Sequence, residues 1–149
     1  MTDRFSLRRF EQAQDEGGTY ERAVAELRAG RKASHWMWFI FPQVSGLGQS
    51  SMSRTYSISS LAEARAYLQH PVLGPRLIEA TRILTELAGR SAQDILGATD
   101  AMKLRSSMTL FAHAAPEDPL FREVLAQYFG GVADAATESR LDSQRLRAP

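Results

Sequence analysis

The apolar residues of this chain recur mostly with helical periodicity. The widest apolar face extends from Leu77 to Leu87, between Pro75 and Gly89, which are residues typical of a helix start and a helix end. A later segment places apolar side chains at positions i, i+4 and i+7, namely Leu104, Met108 and Phe111. We therefore expect an all-α, compact multihelical single domain over residues 1–141, followed by a flexible polar tail over residues 142–149.

Two short segments depart from this pattern. Trp36–Phe41 is apolar on every face, and Arg54–Ser59 contains aromatic and β-branched residues that favour strands. A run as short as Trp36–Phe41 is buried as a helix or as a strand, and periodicity does not distinguish the two. The segments leave open an alternative α+β fold, in which they pair as a small two-stranded hairpin.

Polar residues at the expected helix starts support the helical prediction. Ser60 and Glu63 have the spacing of a capping box, in which the hydroxyl accepts from the Glu63 amide and the carboxylate reaches back to the cap. Thr99 and Asp134 are predicted to cap two later helices, the second of which extends to Leu141.

The composition is that of an ordinary globular protein. The 149 residues are 44% hydrophobic and 23% charged, and a net charge of +1 provides no field that would attract nucleic acid or an anionic membrane. The chain has no cysteine, which excludes disulfides, thiolate catalysis and sulfur-ligated zinc. Because no segment resembles a signal peptide or a membrane span, we expect a cytoplasmic protein without nucleic-acid or membrane partners.

Four segments carry a resemblance to a known family: GRKASHWMWFIFPQVSGLGQSSMSRTYSI, AYLQHPVLGPRLIE, DAMKLRSSMTLF and FREVLAQYFGG. They closely resemble the bacterial family catalogued as domain of unknown function 1810, some of whose members carry the label calpastatin. The match extends over about Phe5 to Leu141. The resemblance implies a compact, mainly helical domain and no particular reaction. The calpastatin label has no physical support, because inhibitory repeats of that type are disordered whereas this chain has a core.

The most unusual chemistry of the chain is concentrated in Gly30–Tyr56. Its two tryptophans either stack on a planar ligand or belong to the core. Its glycine- and serine-rich loop, Ser45–Ser53, either holds a phosphate or is an ordinary turn followed by a serine cap, and it matches neither a Walker loop nor a dinucleotide fingerprint. The candidate ligand-binding residues of this stretch are Lys32, Trp36, Trp38, Gln43, Gly48, Ser50 and Ser53.

A second polar cluster follows Asp100. Helical spacing places Lys103 beside Ser107 and near Ser106, so Ser106 is a candidate ligand-binding residue. Lys103, Ser107 and His35 are candidate catalytic residues, with lysine as nucleophile or as base for serine. The alternative is an exposed Asp100–Lys103 pair with solvated serines. Histidines and carboxylates lack metal-ligand spacing, so we expect no metal and no cofactor.

Two classes of function fit these residues. The first is a binder or an enzyme for a nucleotide-like, phosphate-bearing small molecule, of the ADP-ribose or NAD type by analogy with other small helical domains. It requires the segments 30–56 and 100–107 to meet in a pocket. The second is a non-catalytic protein-interaction module, which requires a contiguous exposed apolar patch. The sequence leaves open whether the protein is an enzyme and what its oligomeric state is.

Overall fold

The computed structural model describes residues 3–147, which fold into α-helices joined by short loops. The predicted all-α fold is confirmed. A 3-10 turn, Glu16–Gly18, links the first two helices. The helices are α1 (Arg8–Asp15), α2 (Thr19–Arg28), α3 (Met37–Ile40), α4 (Ser51–Thr55), α5 (Leu61–Gln69), α6 (Leu73–Glu86), α7 (Ala92–Leu96), α8 (Ala98–Ala114), α9 (Leu120–Phe129) and α10 (Ala135–Arg147).

The C-terminal helix α10 is longer than the sequence predicts. Asp134 caps it as expected, because its Oδ2 atom accepts from the Thr137 amide at 2.9 Å and from the Thr137 hydroxyl at 2.6 Å. The helix continues past Leu141 to Arg147, into the segment predicted as a tail. The last two residues of that segment, 148–149, lie outside the described residues.

The alternative hairpin is wrong. Trp36–Phe41 forms the short helix α3, in which the Ile40 and Phe41 amides donate to the carbonyls of Trp36 and Met37 at 3.1 Å. Local bonding satisfies this buried backbone, so it needs no partner strand. Within residues 3–147, the β contact is an isolated parallel bridge between Val44 and Ile58.

Helix α8 lies at the centre of the fold and packs against α5, α7, α9 and α10. Its residues 106–111 are all buried, so the serine pair in DAMKLRSS lies inside the protein. A chain of aromatic rings crosses the core from α1 to α9, with centroids 5.2 to 5.7 Å apart: Phe10, Tyr67, Phe111 and Phe121. This rigid centre positions the polar first turns of α8.

An ion pair between the partly exposed Arg9 and the buried Glu63 joins α1 to α5. Arg9 Nη2 lies 2.9 Å from Glu63 Oε2, and Arg9 also donates to the carbonyls of Thr55 and Ser57 at 2.8 and 2.7 Å. The predicted capping box forms only in part, because the Glu63 amide donates to Ser60 while the Glu63 carboxylate accepts from the Ser59 amide. Arg9 therefore holds the segment that follows α4.

The predicted cap at Thr99 is wrong. Helix α8 begins at Ala98, and its N-cap is Gly97, two residues before Thr99, with no side-chain cap bond. Gly97 has φ 88°, a conformation in which a Thr or Ser cap would be strained. Gly97 also ends α7, so the two helices share a single boundary residue.

Candidate functional site

The loop between α2 and α3 is organised by one carboxylate, that of Glu26. Its Oε1 atom accepts from the Ala33 amide at 2.8 Å, the Ser34 amide at 3.0 Å and the Trp36 indole at 2.8 Å, and its Oε2 atom accepts from the Ser34 hydroxyl at 2.6 Å. Burial raises the pKa of Glu26, but the bonds from Ser34, Ala33 and Trp36 outweigh it and lower the pKa to about 2. A permanent negative charge therefore fixes this loop.

Both lysines of the chain converge on Asp100 in the first turn of α8. Lys32 Nζ lies 2.9 Å from Asp100 Oδ2, and Lys103 Nζ lies 3.5 Å from Asp100 Oδ1. Each ammonium also lies 5.1 Å from the centroid of a tryptophan ring, Lys32 over Trp36 and Lys103 over Trp38. The exposed fractions of the three charged side chains are only 10% for Lys32, 18% for Asp100 and 21% for Lys103. The two polar segments of the sequence thus meet in space.

A cleft of about 270 Å³ separates the 43–53 loop from α8 and the start of α10. The loop contributes Gln43, Gly48 and Ser53, and α8 contributes Lys103 and Ser106. All of these are residues that the sequence analysis selected. The remaining lining residues are Leu47, Thr99, Met102, Asp134 and Ala136. We call this space the lysine cleft.

A second cleft of about 340 Å³ lies against the same loop. It shares Gln43, Gly48 and Ser53 with the lysine cleft and adds Arg54 and Ser57. The lining of this cleft, as far as the structure describes it, contains no carboxylate. The remaining lining residues are Val44, Ser45, Gly46 and Gln49. We call this space the arginine cleft.

Arg54 lines the arginine cleft, and Arg140 contacts the loop that forms it. Arg54 Nε donates to the Gln49 carbonyl at 3.0 Å, and Arg140 Nε, from α10, donates to the Ser45 carbonyl at 3.1 Å. Arg54 flanks the loop in the sequence, so the sequence itself indicates that Arg54 lies beside the loop. Arg140 is distant in sequence and lies in a segment predicted to be near the end of a short helix, so no sequence signal pointed to it.

The glycines of the loop are required by its own packing. A Cβ atom on Gly48 would come within 2.4 Å of Ser53 Oγ, and one on Gly46 within 2.0 Å of Arg140 Nη2. Gly46 also has φ 96°, which favours glycine. The loop therefore holds Ser53 and Arg140 closely, and its glycines need no ligand to explain them.

Several predicted site residues line neither cleft. Trp36 is fully buried with its indole N–H bonded to Glu26, so it belongs to the core. Ser107 is fully buried, and its hydroxyl has no hydrogen-bond partner among the described residues. His35 is exposed, and Ser50 caps α4 by accepting from the Ser53 amide at 3.1 Å.

Lys32 and Trp38 do not line the lysine cleft. Lys32 is held by Asp100, and the half-buried Trp38 ring lies beneath the Lys103 ammonium. Asp134 and Met102 are not among the ligand-binding residues predicted from the sequence. The loop that carries Asp134 reaches the cleft only through the packing of α10 on α8.

A larger cleft of about 490 Å³ lies between α8, α9 and α10. It is lined in part by His113 and Glu138, whose Nε2 and Oε1 atoms are 2.9 Å apart, and by Arg122 and Leu125. None of the residues selected from the sequence lines this space.

No three His, Asp or Glu side chains within residues 3–147 are grouped so that they would hold a metal ion. No helix in this range has both the length and the apolar character that crossing a bilayer requires.

Comparison with known proteins gives a family and a structural relative. The model of the family described as "Protein of unknown function (DUF1810)" matches residues 4–141. The crystal structure of the conserved hypothetical protein Rv1873 from Mycobacterium tuberculosis is similar, with 51% sequence identity and a TM-score of 0.91. The similarity covers 94% of this chain and 99% of that one. No curated protein matches the chain.

Proposed function

We propose that this chain, which belongs to the DUF1810 family, binds a phosphate-bearing small molecule of the nucleotide type along its 43–53 loop. The family has no described activity to transfer, so the proposal rests on the site. One observation carries it: Gln43, Gly48 and Ser53 from one segment line the same cleft as Lys103 and Ser106 from another. A concave space with a few convergent polar groups is the usual form of a small-molecule site.

The phosphate end of the ligand fits the arginine cleft. Arg54 lines it, and the Arg140 guanidinium lies beside the same loop at Gly46. A guanidinium presents its N–H groups in a fork that matches phosphate oxygens. The hydroxyl of Ser53 supplies a further donor, and no carboxylate of the described lining opposes an anion.

The sugar end of the ligand fits the lysine cleft. Lys103 offers N–H donors there, and Asp134 offers a carboxylate that accepts from sugar hydroxyls. The Ser106 hydroxyl donates to the Met102 carbonyl, so it offers the ligand an acceptor. Met102 and Leu47 supply apolar contact area for the ring. Because the two clefts share Gln43, Gly48 and Ser53, a ligand with phosphate at one end and ribose at the other spans both, and ADP-ribose and NAD are the first such ligands to test.

Calorimetry and thermal unfolding with ADP-ribose, NAD and ribose 5-phosphate test this proposal. A ligand at roughly 100 times its dissociation constant stabilises the native state by about 2.7 kcal/mol, which raises Tm. Arg54→Ala is expected to weaken binding about tenfold or more, because it removes a charged contact to phosphate. Arg65→Ala, on the exposed side of α5, is the matched control and should bind as the wild type does. An unchanged Tm with every ligand, or equal losses in both variants, would contradict the proposal.

The alternative, a protein-interaction module, has less support. Such a module needs a contiguous exposed apolar patch. Within the part of the chain that the structure describes, the large exposed apolar side chains are Met102, Val132 and Leu146. They belong to α8, to the 130–134 loop and to α10, so each element contributes a single side chain.

A further inference from the structure

We infer that Lys103 is a nucleophilic amine that forms an imine with a ligand carrying both a phosphate and an aldehyde or ketone carbon. Asp100 and Lys32 act as positioning residues for that amine. The inference rests on the proposed function, because it assigns the chemistry of the sugar end of the same ligand.

The distribution of lysine in this chain is the first observation. The chain has 18 Lys and Arg residues, and all but Lys32 and Lys103 are arginine. Both of these amines contact the same carboxylate, Asp100. An ordinary ion pair with a carboxylate is made at least as well by arginine, whose fork binds both oxygens. Lysine alone offers an amine that releases its proton and attacks carbon, so its placement at this cluster points to amine chemistry.

The charge balance of the cluster is the second observation. Two ammonium groups share one carboxylate, with Lys32 at 2.9 Å and Lys103 at 3.5 Å. Lys32 is the closer and more buried partner, so it retains Asp100 when the Lys103 amine turns to a ligand.

Access to the ligand is the third observation. Lys103 lines the lysine cleft, whereas Lys32 does not. The Trp38 ring lies beneath the Lys103 ammonium and fixes the side chain on one side. The carboxylate in the described lining of this cleft, Asp134, accepts on Oδ2 from the Thr137 amide and hydroxyl. Lys103 is therefore the amine that a bound carbonyl carbon would meet.

The reaction step balances without an oxidant or a reductant. Lys103 first gives its ammonium proton to solvent. The neutral amine then forms a C–N bond to the carbonyl carbon, and the carbonyl oxygen leaves as water with the two remaining amine protons. The product is a C=N bond between Nζ and the ligand. A sugar phosphate whose ring opens to a free aldehyde is a substrate of this class.

Reductive trapping tests the inference. The full chain is incubated with ribose 5-phosphate and sodium cyanoborohydride, which reduces an imine to a stable amine, and the adduct is located by peptide mass spectrometry. We expect labelling at Lys103 about tenfold above that at Lys32, which serves as the internal control of the same residue type. Lys103→Arg should lose the label, because a guanidinium does not form an imine with a carbonyl carbon.

The positioning roles have their own readout. Asp100→Asn should slow trapping at saturating probe about tenfold, since the amine loses the carboxylate that orients it, while Lys32→Arg should retain labelling at Lys103. A thermal scan of each variant checks that the fold is intact.

The possible results separate this inference from the proposed function. Calorimetric binding of ribose 5-phosphate without a Lys103 adduct overturns the imine and leaves the proposed function standing. Equal labelling of Lys32 and Lys103 also overturns it. Absence of binding contradicts the proposed function and, with it, the imine.

Discussion

Glu26 shows how a single side chain can set up a site to which it contributes no lining atom. Its carboxylate accepts hydrogen bonds from the loop that follows α2, including one from the indole N–H of Trp36. These bonds hold Lys32 within contact distance of Asp100. The loop can turn back on Glu26 because Gly30, which follows the C-cap residue Ala29 of α2, has φ 72°. The Trp36 indole, which the sequence suggested as a surface for ligand stacking, is therefore part of the core.

Replacing Glu26 by Gln is expected to destabilise the fold by about 2 kcal/mol at neutral pH, because an amide loses the charged acceptor of several hydrogen bonds. Urea unfolding measures this difference. Glu21→Gln, an exposed position on the same helix, is the control and should change little. Equal effects of the two substitutions would show that the loop does not depend on this carboxylate.

The same carboxylate predicts a pH dependence. The folded pKa of Glu26, about 2, lies below its ordinary value of 4.5. A lowered folded pKa contributes stability that is present above the unfolded value and is lost as the pH falls through the folded one. The stability difference between wild type and Glu26→Gln should therefore shrink between about pH 4.5 and about pH 2, as measured by urea unfolding at each pH. A difference that stays constant over this window would contradict the assignment.

At the scale of elements, the candidate site depends on how α10 and α1 hold the 43–59 segment. From α10, Arg140 donates to the Ser45 carbonyl, and Gln144 donates to the Ser59 carbonyl at 2.8 Å. From α1, Arg9 holds the same segment through the carbonyl of Ser57. The loop with both clefts is thus braced from two sides by helices far from it in sequence.

Gly46→Ala tests the brace from α10. The added methyl would collide with Arg140, and the residue would also sit at a positive φ, so we expect a loss of stability of more than about 1 kcal/mol. Gly89→Ala is the matched control, because Gly89 has φ 73° and no atom within 4 Å of the new methyl. Chemical denaturation should show the larger loss at Gly46, and the excess should vanish in an Arg140→Ala background. Equal losses would exclude the close packing of Arg140.

Arg9→Ala tests the brace from α1. It leaves the buried Glu63 without its cation, which typically costs about 3 kcal/mol or more. Arg8→Ala removes a neighbouring exposed arginine and serves as the control in the same unfolding experiment. A loss no greater than that of Arg8→Ala would mean that the ion pair does not support the fold.

At the scale of the whole molecule, periodicity and breakers predicted most helices, while tertiary partners decided the site. Local signals were sufficient to predict three helices. These signals are the apolar stripes around Leu77 and Leu104 and the cap at Asp134. Trp36–Phe41 was too short for periodicity to decide between helix and strand, and in the structure its amides bond to local carbonyls in a helical turn. Thr99 lost the cap position because the shared boundary at Gly97 determines where α8 starts.

The sequence predicted which residues belong to the candidate site better than it predicted the contacts between them. Residue type alone drew attention to Gln43, Ser53 and Lys103, which line a common cleft. The pairing of Lys32 with Asp100 was not predicted, because it joins side chains that are distant in sequence and depends on the packing of the α2–α3 loop on α8. Arg140 was missed for the same reason.

The central claim is that a single phosphate-bearing ligand spans the two clefts beside the 43–53 loop. Titration of the ¹⁵N-labelled protein with ADP-ribose, followed by amide chemical shifts, tests it most directly. The account predicts shifts in residues 43–57 and 99–106 that saturate together with one dissociation constant, while the amides of His113 and Glu138 in the larger cleft stay unchanged. Shifts confined to the cleft of His113 and Glu138, or no shifts at millimolar ligand, would contradict it.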